Sequence, residues 1–199
     1  MPQKRINMFD RINHYISNAV ELSPQELEYF DAALSFKRVP KKTVLLKAGE
    51  ICDFEAYVCK GCVREYYIDE NGAEVTLHFA VEDWWVSEIS SFHEQVPSLT
   101  FIETLEDCEL LIITRSVKEE LLLQIPQLER MFRLMLQRHL HTMKQRLIKT
   151  MSFSAMARYQ EFLRRYPSIP QRVPQHYIAS YLGISAEFLS KLRARQPKL

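Results

Sequence analysis

The sequence predicts an α+β fold in which an antiparallel sandwich or barrel precedes one long helix and two short C-terminal helices. Three observations support this prediction. Residues 35–113 contain many short strand-like runs separated by turn signals. Residues 127–151 contain no Pro or Gly and would form a helix of roughly 37 Å. Residues 174–195 read PQHYIASYLGISAEFLSKLRAR, which is typical of two helices joined by a tight turn.

The N-terminal residues 1–34 are predicted to be helical. Apolar residues between positions 12 and 19 fall at helical spacing, so they share one face. Ser23 followed by Pro24 is typical of a second helix start, with Ser as the N-cap and Pro at the first helical position.

The predicted strands share alternating or β-branched apolar residues. They cover residues 36–39, 43–46, 56–59, 62–68, 74–80, 101–105 and 108–113. Gly61 separates two of them in what we interpret as a hairpin, and DENG at residues 69–72 is a strong hairpin turn.

Helical patterns return after Thr114. A short helix is predicted over residues 116–123, the long helix over 127–151 and another over 155–166, followed by a rigid link to residue 174. The apolar residues of the long helix step by three or four, as in a coiled-coil seam. They are Leu128, Phe132, Leu136, Leu140, Met143, Leu147 and Met151. The seam could pack on the chain's own sheet or on a twin helix, and we favour the twin because sequence-reading DNA binders are so often two-fold dimers.

The C-terminal stretch has the spacing of a helix-turn-helix, whose second helix enters the DNA major groove. Two apolar stripes are separated by Gly183, and Ser185 offers an N-cap for the second helix. The stripes are Ile178, Ala179 and Leu182, then Leu189 and Leu192. An ordinary helical hairpin packed into a core would also show this spacing, so that alternative stays open.

The second helix leaves six residues free of core packing. They are Ser185, Ala186, Glu187, Ser190, Lys191 and Arg193. Glu can accept from cytosine, and Lys can donate to guanine. These residues are therefore candidates for reading bases.

The net charge of +1 hides a strong asymmetry. Residues 127–199 contain 14 Lys and Arg against three acidic residues, whereas residues 1–126 contain 12 against 22. Basic segments attract phosphate backbones, so the asymmetry favours nucleic acid as the partner of the C-terminal part.

Cys52, Cys59, Cys62 and Cys108 are scattered, and the sequence contains no secretory signal or long apolar run. We expect reduced thiols in a cytoplasmic protein with no membrane partner. The CxxC at residues 59–62 lacks the second ligand pair of a zinc site. Buried thiols are thus favoured over metal or redox use, and we predict no metal and no cofactor.

Beyond these patterns, the order of elements resembles the Crp/Fnr family of bacterial transcription regulators over nearly the whole chain. The similarity rests on KAGE, CKGCVREYYIDENGAEVTLHF, TLEDCELL and IASYLGISAEFLSKLRAR, at residues 47–50, 59–79, 104–111 and 178–195. The resemblance implies an N-terminal cyclic-nucleotide-binding-type jelly roll, a long helix that forms the dimer interface, and DNA heads that a ligand repositions. It also implies that Ala186, Glu187 and Lys191 face bases, with Ser190 nearby.

The first departure from the family concerns the ligand. Cyclic-nucleotide members have a Gly-Glu pair for the ribose and an Arg for the cyclic phosphate. Here Ser87 and Glu88 align with the pair, and Ser98 aligns with the Arg. Because the charge-assisted partner of the phosphate is absent, we predict that cyclic nucleotides do not bind in the usual way. Trp84 and Trp85 are core residues or the lining of an effector pocket.

The second departure is at the end of the sequence. Family members commonly have a β-wing after the reading helix, whereas only residues 196–199 follow here, so we expect the wing to be reduced or absent. Phosphate contacts would then come from elsewhere, with Arg164, Arg165 and Arg172 as candidates. Ala186 stands where better-known members have a polar reader, so their target sequence does not transfer.

Other chemistry has weaker support in the sequence. The iron–sulfur branch of the family uses cysteines near its N-terminus, and no Cys precedes Cys52. Haem sensing stays open through His78, His93 and the His139/His141 pair, although such residues are mostly packing or surface. The sequence contains no phosphate loop or hydrolase motif, so we expect no enzyme.

Together these observations predict a cytoplasmic, homodimeric, sequence-specific DNA-binding regulator. The expected domains are a β-roll at residues 1–126, a dimerisation helix at 127–151 and a DNA-binding domain at 152–199. RNA polymerase and an unknown small-molecule effector are further candidate partners. The rival hypothesis is a ligand-binding signalling module whose C-terminal helices grip a protein, and the charge asymmetry separates the two.

Overall fold

The structure is a computed structural model that describes residues 9–194. Arg195 and residues 196–199, where the wing would be reduced or absent, lie outside the described residues, as do residues 1–8.

Eight β-strands within the described residues form two four-stranded sheets. They are β1 (Ser35–Val39), β2 (Val44–Leu46), β3 (Phe54–Lys60), β4 (Val63–Ile68), β5 (Glu74–Ala80), β6 (Trp85–Val86), β7 (Phe101–Thr104) and β8 (Cys108–Thr114). One sheet has the order β1-β8-β3-β6 and the other β2-β7-β4-β5. The pairs β1–β8, β3–β8, β3–β6 and β2–β7 are antiparallel. This arrangement confirms the predicted antiparallel β-roll.

Helices flank the strands and make up the C-terminal part of the described chain. They are α1 (Asp10–Ser17), α2 (Pro24–Ala33), α3 (Ile89–Glu94), α4 (Arg115–Gln124), α5 (Leu128–Ser152), α6 (Ala155–Arg165), α7 (Ile169–Arg172), α8 (Gln175–Leu182) and α9 (Ala186–Ala194). None of these described helices is long and apolar enough to span a bilayer.

The predicted start of α2 is confirmed in detail. Pro24 occupies the first turn, and the Glu26 amide donates to the Ser23 hydroxyl at 3.3 Å. The Ser23 amide in turn donates to the Glu26 carboxylate at 2.7 Å. Two backbone donors at the helix start are thereby satisfied, which is the capping-box arrangement.

The hairpin predicted around Gly61 is wrong. β3 and β4 flank this glycine but belong to different sheets, so the chain crosses from one sheet to the other at this point. Gly61 has φ 107°, and a Cβ there would lie 2.5 Å from the Cys108 sulfur. The close approach requires glycine. The turn at residues 69–72 does join neighbouring strands, because β4 and β5 are adjacent in their sheet.

The chain divides into two compact units, which we describe separately. The first contains the described residues up to 65 and residues 79–137. Strand β8 is buried on both faces in this unit, since Leu110 and Ile112 pack in one apolar cluster while Leu111 and Ile113 pack in the other. The alternation follows from the two-residue period of a strand. One cluster contains strands of both sheets, and the other packs α1, α2, α4 and the start of α5 on the roll.

Three short elements, β6, α3 and α7, were not predicted from the sequence. β6 has two residues and α7 has four, so neither is long enough to show a period. α3 begins after Glu88, whose carboxylate accepts from the Ser91 amide at 2.7 Å. Glu is not a typical N-cap residue, which explains why this start was not recognised.

The second unit contains residues 66–78 and the described residues from 138 onward. Its core is aromatic: Phe162, Tyr166 and Tyr181 have ring centroids 5.2–5.9 Å apart. The tip of the β4–β5 hairpin belongs to this unit, packed with the C-terminal helices. The domain limits at residues 126 and 151 stay a prediction.

Candidate nucleic-acid interface

The turn between α8 and α9 is built around a single glycine. α8 buries Ile178, Ala179 and Leu182 and ends at Gly183, which has φ 64°. The Gly183 amide donates to carbonyls of the last turn of α8. Because residues with a side chain rarely adopt this left-handed conformation, glycine is the suitable residue here.

The second helix starts with a serine cap. The Ser185 hydroxyl accepts from the Phe188 amide at 3.1 Å, which satisfies one of the free donors at the start of α9. α9 buries Leu189 and Leu192 and packs against α8. The two helices therefore form a helix-turn-helix in which one stripe of α9 faces inward.

All six residues predicted to read bases face outward, five of them on α9 and Ser185 directly before it. Ser185, Ala186, Glu187, Ser190, Lys191 and Arg193 are exposed. Hydrogen bonds from the residue's own amide and from Ser185, together with the charge of Lys191, hold the pKa of Glu187 below its usual value. At neutral pH this face therefore presents a carboxylate beside two cations, which can accept from and donate to base edges.

Phe188 is a residue of this face that the sequence analysis missed. Its side chain is 43% exposed, although it is large and apolar. It lies outside the buried stripe of Leu189 and Leu192. A large apolar residue off the stripe could have been recognised in the sequence as exposed, because it does not follow the helical period. A phenyl ring on a reading helix can contact the methyl group of thymine.

The three arginines predicted to contact phosphate have different surroundings. The Arg164 side chain is 76% exposed and pairs with Glu161 at 2.7 Å. Arg165 is half-buried, and it donates to the Thr142 hydroxyl at 3.2 Å. Arg172 is half-buried and donates to the Ser168 hydroxyl at 3.3 Å. Arg164 is thus the most accessible of the three, while Arg165 has a structural role within the second unit.

The predicted seam of α5 splits into two parts. Leu128 and Phe132 are at most 3% exposed because they pack in the chain's own core against the roll, so their assignment to the dimer interface is wrong. Leu136 and Met143 are half-buried, and Leu140 and Leu147 are 69% and 61% exposed. Met151 is also exposed. The available seam therefore begins after Phe132.

Two of the four cysteines, Cys59 and Cys108, have thiols with a raised pKa. All four are free thiols, and burial raises the pKa of Cys59 and of Cys108 to about 11. Thiols with a raised pKa are poor nucleophiles and poor metal ligands. Among residues 9–194, no three His, Cys, Asp or Glu side chains cluster so as to hold a metal ion.

Comparisons with known proteins agree with this architecture. Residues 36–124 match the cyclic nucleotide-binding domain family. The anaerobic regulatory protein of Pasteurella multocida is 24% identical over 190 residues, which cover 89% of this chain and 69% of that protein. The c-di-GMP-responsive regulator CLP of Xanthomonas campestris superposes with a TM-score of 0.69 at 20% identity, covering 87% of this chain and 91% of CLP. FixK2 of Bradyrhizobium japonicum gives 0.71 at 17% identity, covering 81% and 83%.

The chain is similar in fold to Crp/Fnr transcription regulators, among them one from Eubacterium rectale that superposes with a TM-score of 0.65 at 18% identity, covering 86% of this chain and 82% of that one. Its architecture is that of Crp/Fnr transcription regulators, with a sheet-rich roll, a long helix and C-terminal helices. Members of this family are not enzymes, and binding of DNA and dimerisation are typical of them.

Two of the effector-pocket candidates, Trp84 and Trp85, pack in different apolar clusters of the roll. The Trp85 ring packs 5.6 Å from Tyr57 and 6.0 Å from Phe132, in the cluster on the helix side of the sheet. Trp84 packs against the other apolar cluster, so the two indoles are separated by the sheet. The prediction that these tryptophans are core residues fits these positions, and a shared pocket does not.

The polar groups around Ser98 are paired with one another. The Ser98 hydroxyl donates to the Thr100 carbonyl at 2.9 Å and accepts from the Thr100 amide at 3.0 Å. The Thr100 hydroxyl donates to the Glu65 carboxylate at 3.0 Å. The position aligned with the family's phosphate-binding Arg is thus a neutral serine, and its neighbour Thr100 bonds to a carboxylate, which would repel an anionic phosphate.

Proposed function

We propose that the protein is a homodimeric transcription regulator that binds DNA in a sequence-specific manner. One observation carries this proposal: the second helix of a helix-turn-helix has its apolar stripe buried and its polar and basic residues exposed. Glu187, Lys191 and Arg193 are all accessible to a partner on this exposed face. The proposal also explains why 14 Lys and Arg are concentrated in residues 127–199.

In the proposed complex, the N-terminal part of α9 enters the major groove. Glu187 would accept from cytosine, Lys191 would donate to guanine, and Phe188 would contact a thymine methyl group. Arg164 would contact a phosphate. A second copy would pair along α5 and present its α9 about 34 Å away, which matches successive major grooves.

The roll would respond to an effector other than a conventionally bound cyclic nucleotide. A serine stands where the family's phosphate-binding Arg would be, the nearby Thr100 hydroxyl bonds to the Glu65 carboxylate, and the Glu88 carboxylate already caps α3. Calorimetry with cAMP and cGMP should therefore show no binding at micromolar concentration. Because CLP is described as c-di-GMP-responsive, c-di-GMP belongs in the same series.

Two substitutions test the proposed DNA contacts. Lys191→Ala should change the preferred base at one position of each half-site, by about 1–3 kcal/mol of discrimination. Arg164→Ala should weaken all sequences alike, since a phosphate contact does not depend on the base. Fluorescence anisotropy with matched specific and scrambled duplexes measures both effects. If neither variant changes DNA affinity, the C-terminal helices would instead serve a protein partner.

A further inference from the structure

The first helix of the helix-turn-helix is attached to the tip of the β4–β5 hairpin through backbone groups of β5. The Ser180 hydroxyl on α8 donates to the Glu74 carbonyl at 2.7 Å and accepts from the Thr76 amide at 2.8 Å. β5 lies at one end of its sheet order, so among the strands of residues 9–194 it has a neighbour, β4, on one side only. The Ser180 hydroxyl therefore bonds to one carbonyl and one amide of β5, as the backbone of an adjacent strand would.

Arg146 of α5 joins the same two elements from a third side. Its guanidinium donates to the carbonyls of Leu77 and Thr76 on β5, the latter at 3.1 Å. It also donates to the Tyr181 carbonyl at 3.0 Å and lies 4.2 Å from the centre of the Tyr181 ring. A planar guanidinium can donate to three acceptors in fixed directions. A lysine ammonium is a compact charge and cannot match these three directions as well.

The Tyr181 carbonyl is a favourable acceptor for a cation. It lies in the last turn of α8, at the end of the helix where the dipole is negative. Arg146 thus donates to the Tyr181 carbonyl where α8 ends and the Gly183 turn begins. We define the hairpin clamp as Ser180, Arg146 and the backbone groups of Glu74, Thr76, Leu77 and Tyr181 to which they bond.

We propose that Ser180 and Arg146 are positioning residues that set the direction of the reading helix. α9 packs on α8 and follows it after a one-glycine turn, so the orientation of α8 fixes that of α9. Because the clamp bonds to backbone, it fixes α8 relative to β5 and α5 without relying on hairpin side chains. The role in DNA reading rests on the proposed function; the clamp itself does not.

Amide hydrogen exchange tests the clamp without DNA. Ser180→Ala removes the acceptor of the Thr76 amide, so exchange at Thr76 should accelerate about tenfold, the effect of losing one hydrogen bond. Ser180→Thr keeps the hydroxyl and should retain the protection. Ser152→Ala is the matched control, because the Ser152 hydroxyl donates to the Ile148 carbonyl within its own helix and the residue is exposed. An unchanged exchange rate at Thr76 in Ser180→Ala would overturn the clamp.

Amide chemical shifts test the positioning role, again without DNA. In Ser180→Ala the resonances of α9 should move although this helix is not mutated, and Ser180→Thr should restore them. If the α9 resonances stay in place while Thr76 loses protection, Ser180 bonds to β5 but does not position α9, and the proposal fails.

DNA binding provides the functional readout. Arg146→Lys keeps the positive charge but loses the planar set of donors of the guanidinium. The ratio of the affinity for the specific duplex to that for the scrambled duplex should therefore fall about tenfold. The affinity for the scrambled duplex itself should change little. Simple loss of folding would lower both affinities together. Arg138→Lys, on the exposed face of α5, is the control. An unchanged ratio would contradict positioning by Arg146.

If even the unmodified protein does not bind DNA, the proposed function fails. The hydrogen-exchange and chemical-shift results would still decide whether the hairpin clamp exists and positions α9.

Discussion

Lys118 and Glu55 place two charges inside the first unit. Their side chains are 7% and 2% exposed, and the ammonium lies 2.7 Å from the carboxylate. The same ammonium is 3.9 Å from the centre of the Phe132 ring. The ion pair therefore connects α4, β3 and the start of α5.

Removing only one partner should be strongly destabilising. Lys118→Met leaves the Glu55 carboxylate buried without its counter-charge, so the free energy of unfolding should fall by about 3–5 kcal/mol. The double variant Lys118→Met, Glu55→Gln should recover part of this loss. Urea unfolding measures both. Arg115→Met, which breaks the exposed Arg115–Glu119 pair, should cost less than about 1 kcal/mol. Equal effects of the two single variants would contradict this view.

The buried His78 should make the stability of the protein dependent on pH. Burial, followed by the positive charges of His139, Arg165 and Arg146, lowers its pKa to about 3. The unfolded chain has the ordinary value of about 6.5, so below that pH the unfolded state binds a proton that the folded state does not. The free energy of unfolding should therefore fall as pH decreases from 6.5 towards 3.

Urea titrations at pH 7 and pH 5 check this expectation. His139 has a pKa lowered in the same direction and adds to the slope, so a His78→Gln variant should flatten the pH dependence only in part. If the free energy of unfolding of His78→Gln changes with pH as steeply as that of the unmodified protein, His78 does not control the pH dependence.

At the residue scale, the sequence predicted caps and turns well but not buried charges. Ser23, Gly72 and Gly183 have short-range partners, so their roles can be read from neighbouring residues. Lys118 pairs with a residue 63 positions away, and Arg146 bonds to carbonyls about 70 positions away. Such contacts leave no periodic pattern, and a charged residue on a helix is most simply interpreted as solvent-exposed.

At the scale of elements, α5 serves two purposes along one apolar stripe. Leu128 and Phe132 complete the core, and Leu140 and Leu147 remain accessible. The three- and four-residue steps of the stripe are the same in both parts, so the sequence could not show where one use ends. The same limit explains β6 and α3, which are shorter than the windows in which a period can be seen.

Shortening the exposed stripe should weaken dimerisation without unfolding the chain. Each dimer would lose Leu140 twice, so Leu140→Ala should raise the dissociation constant about 100-fold. Leu128→Ala should instead reduce the free energy of unfolding by about 2–5 kcal/mol, because it leaves a cavity in the core. Sedimentation equilibrium and urea unfolding separate the two effects. Leu123→Ala, which removes an exposed leucine of α4, is the control for dimerisation. No change with Leu140→Ala would place the partner surface elsewhere.

At the scale of the whole molecule, the distribution of charge and the order of the elements both support a C-terminal part that binds DNA. The basic residues concentrate in the C-terminal part of the sequence, where the helix-turn-helix forms, and the acidic excess lies in the part that contains the roll. The order of strands, long helix and helix-turn-helix could be predicted from the sequence. The interleaved sheet order could not, because the pairing of β1 with β8 or β2 with β7 depends on contacts far apart in the chain.

The most direct test of the central claim is a selection of random duplexes by the purified protein, followed by affinity measurements at several salt concentrations. We predict an enriched two-fold-symmetric site with half-sites about 10 base pairs apart. We also predict a loss of affinity of tenfold or more between roughly 50 and 200 mM salt, as phosphate contacts release counterions. A selection that enriches no sequence, combined with no binding of any duplex at low salt, would contradict the account.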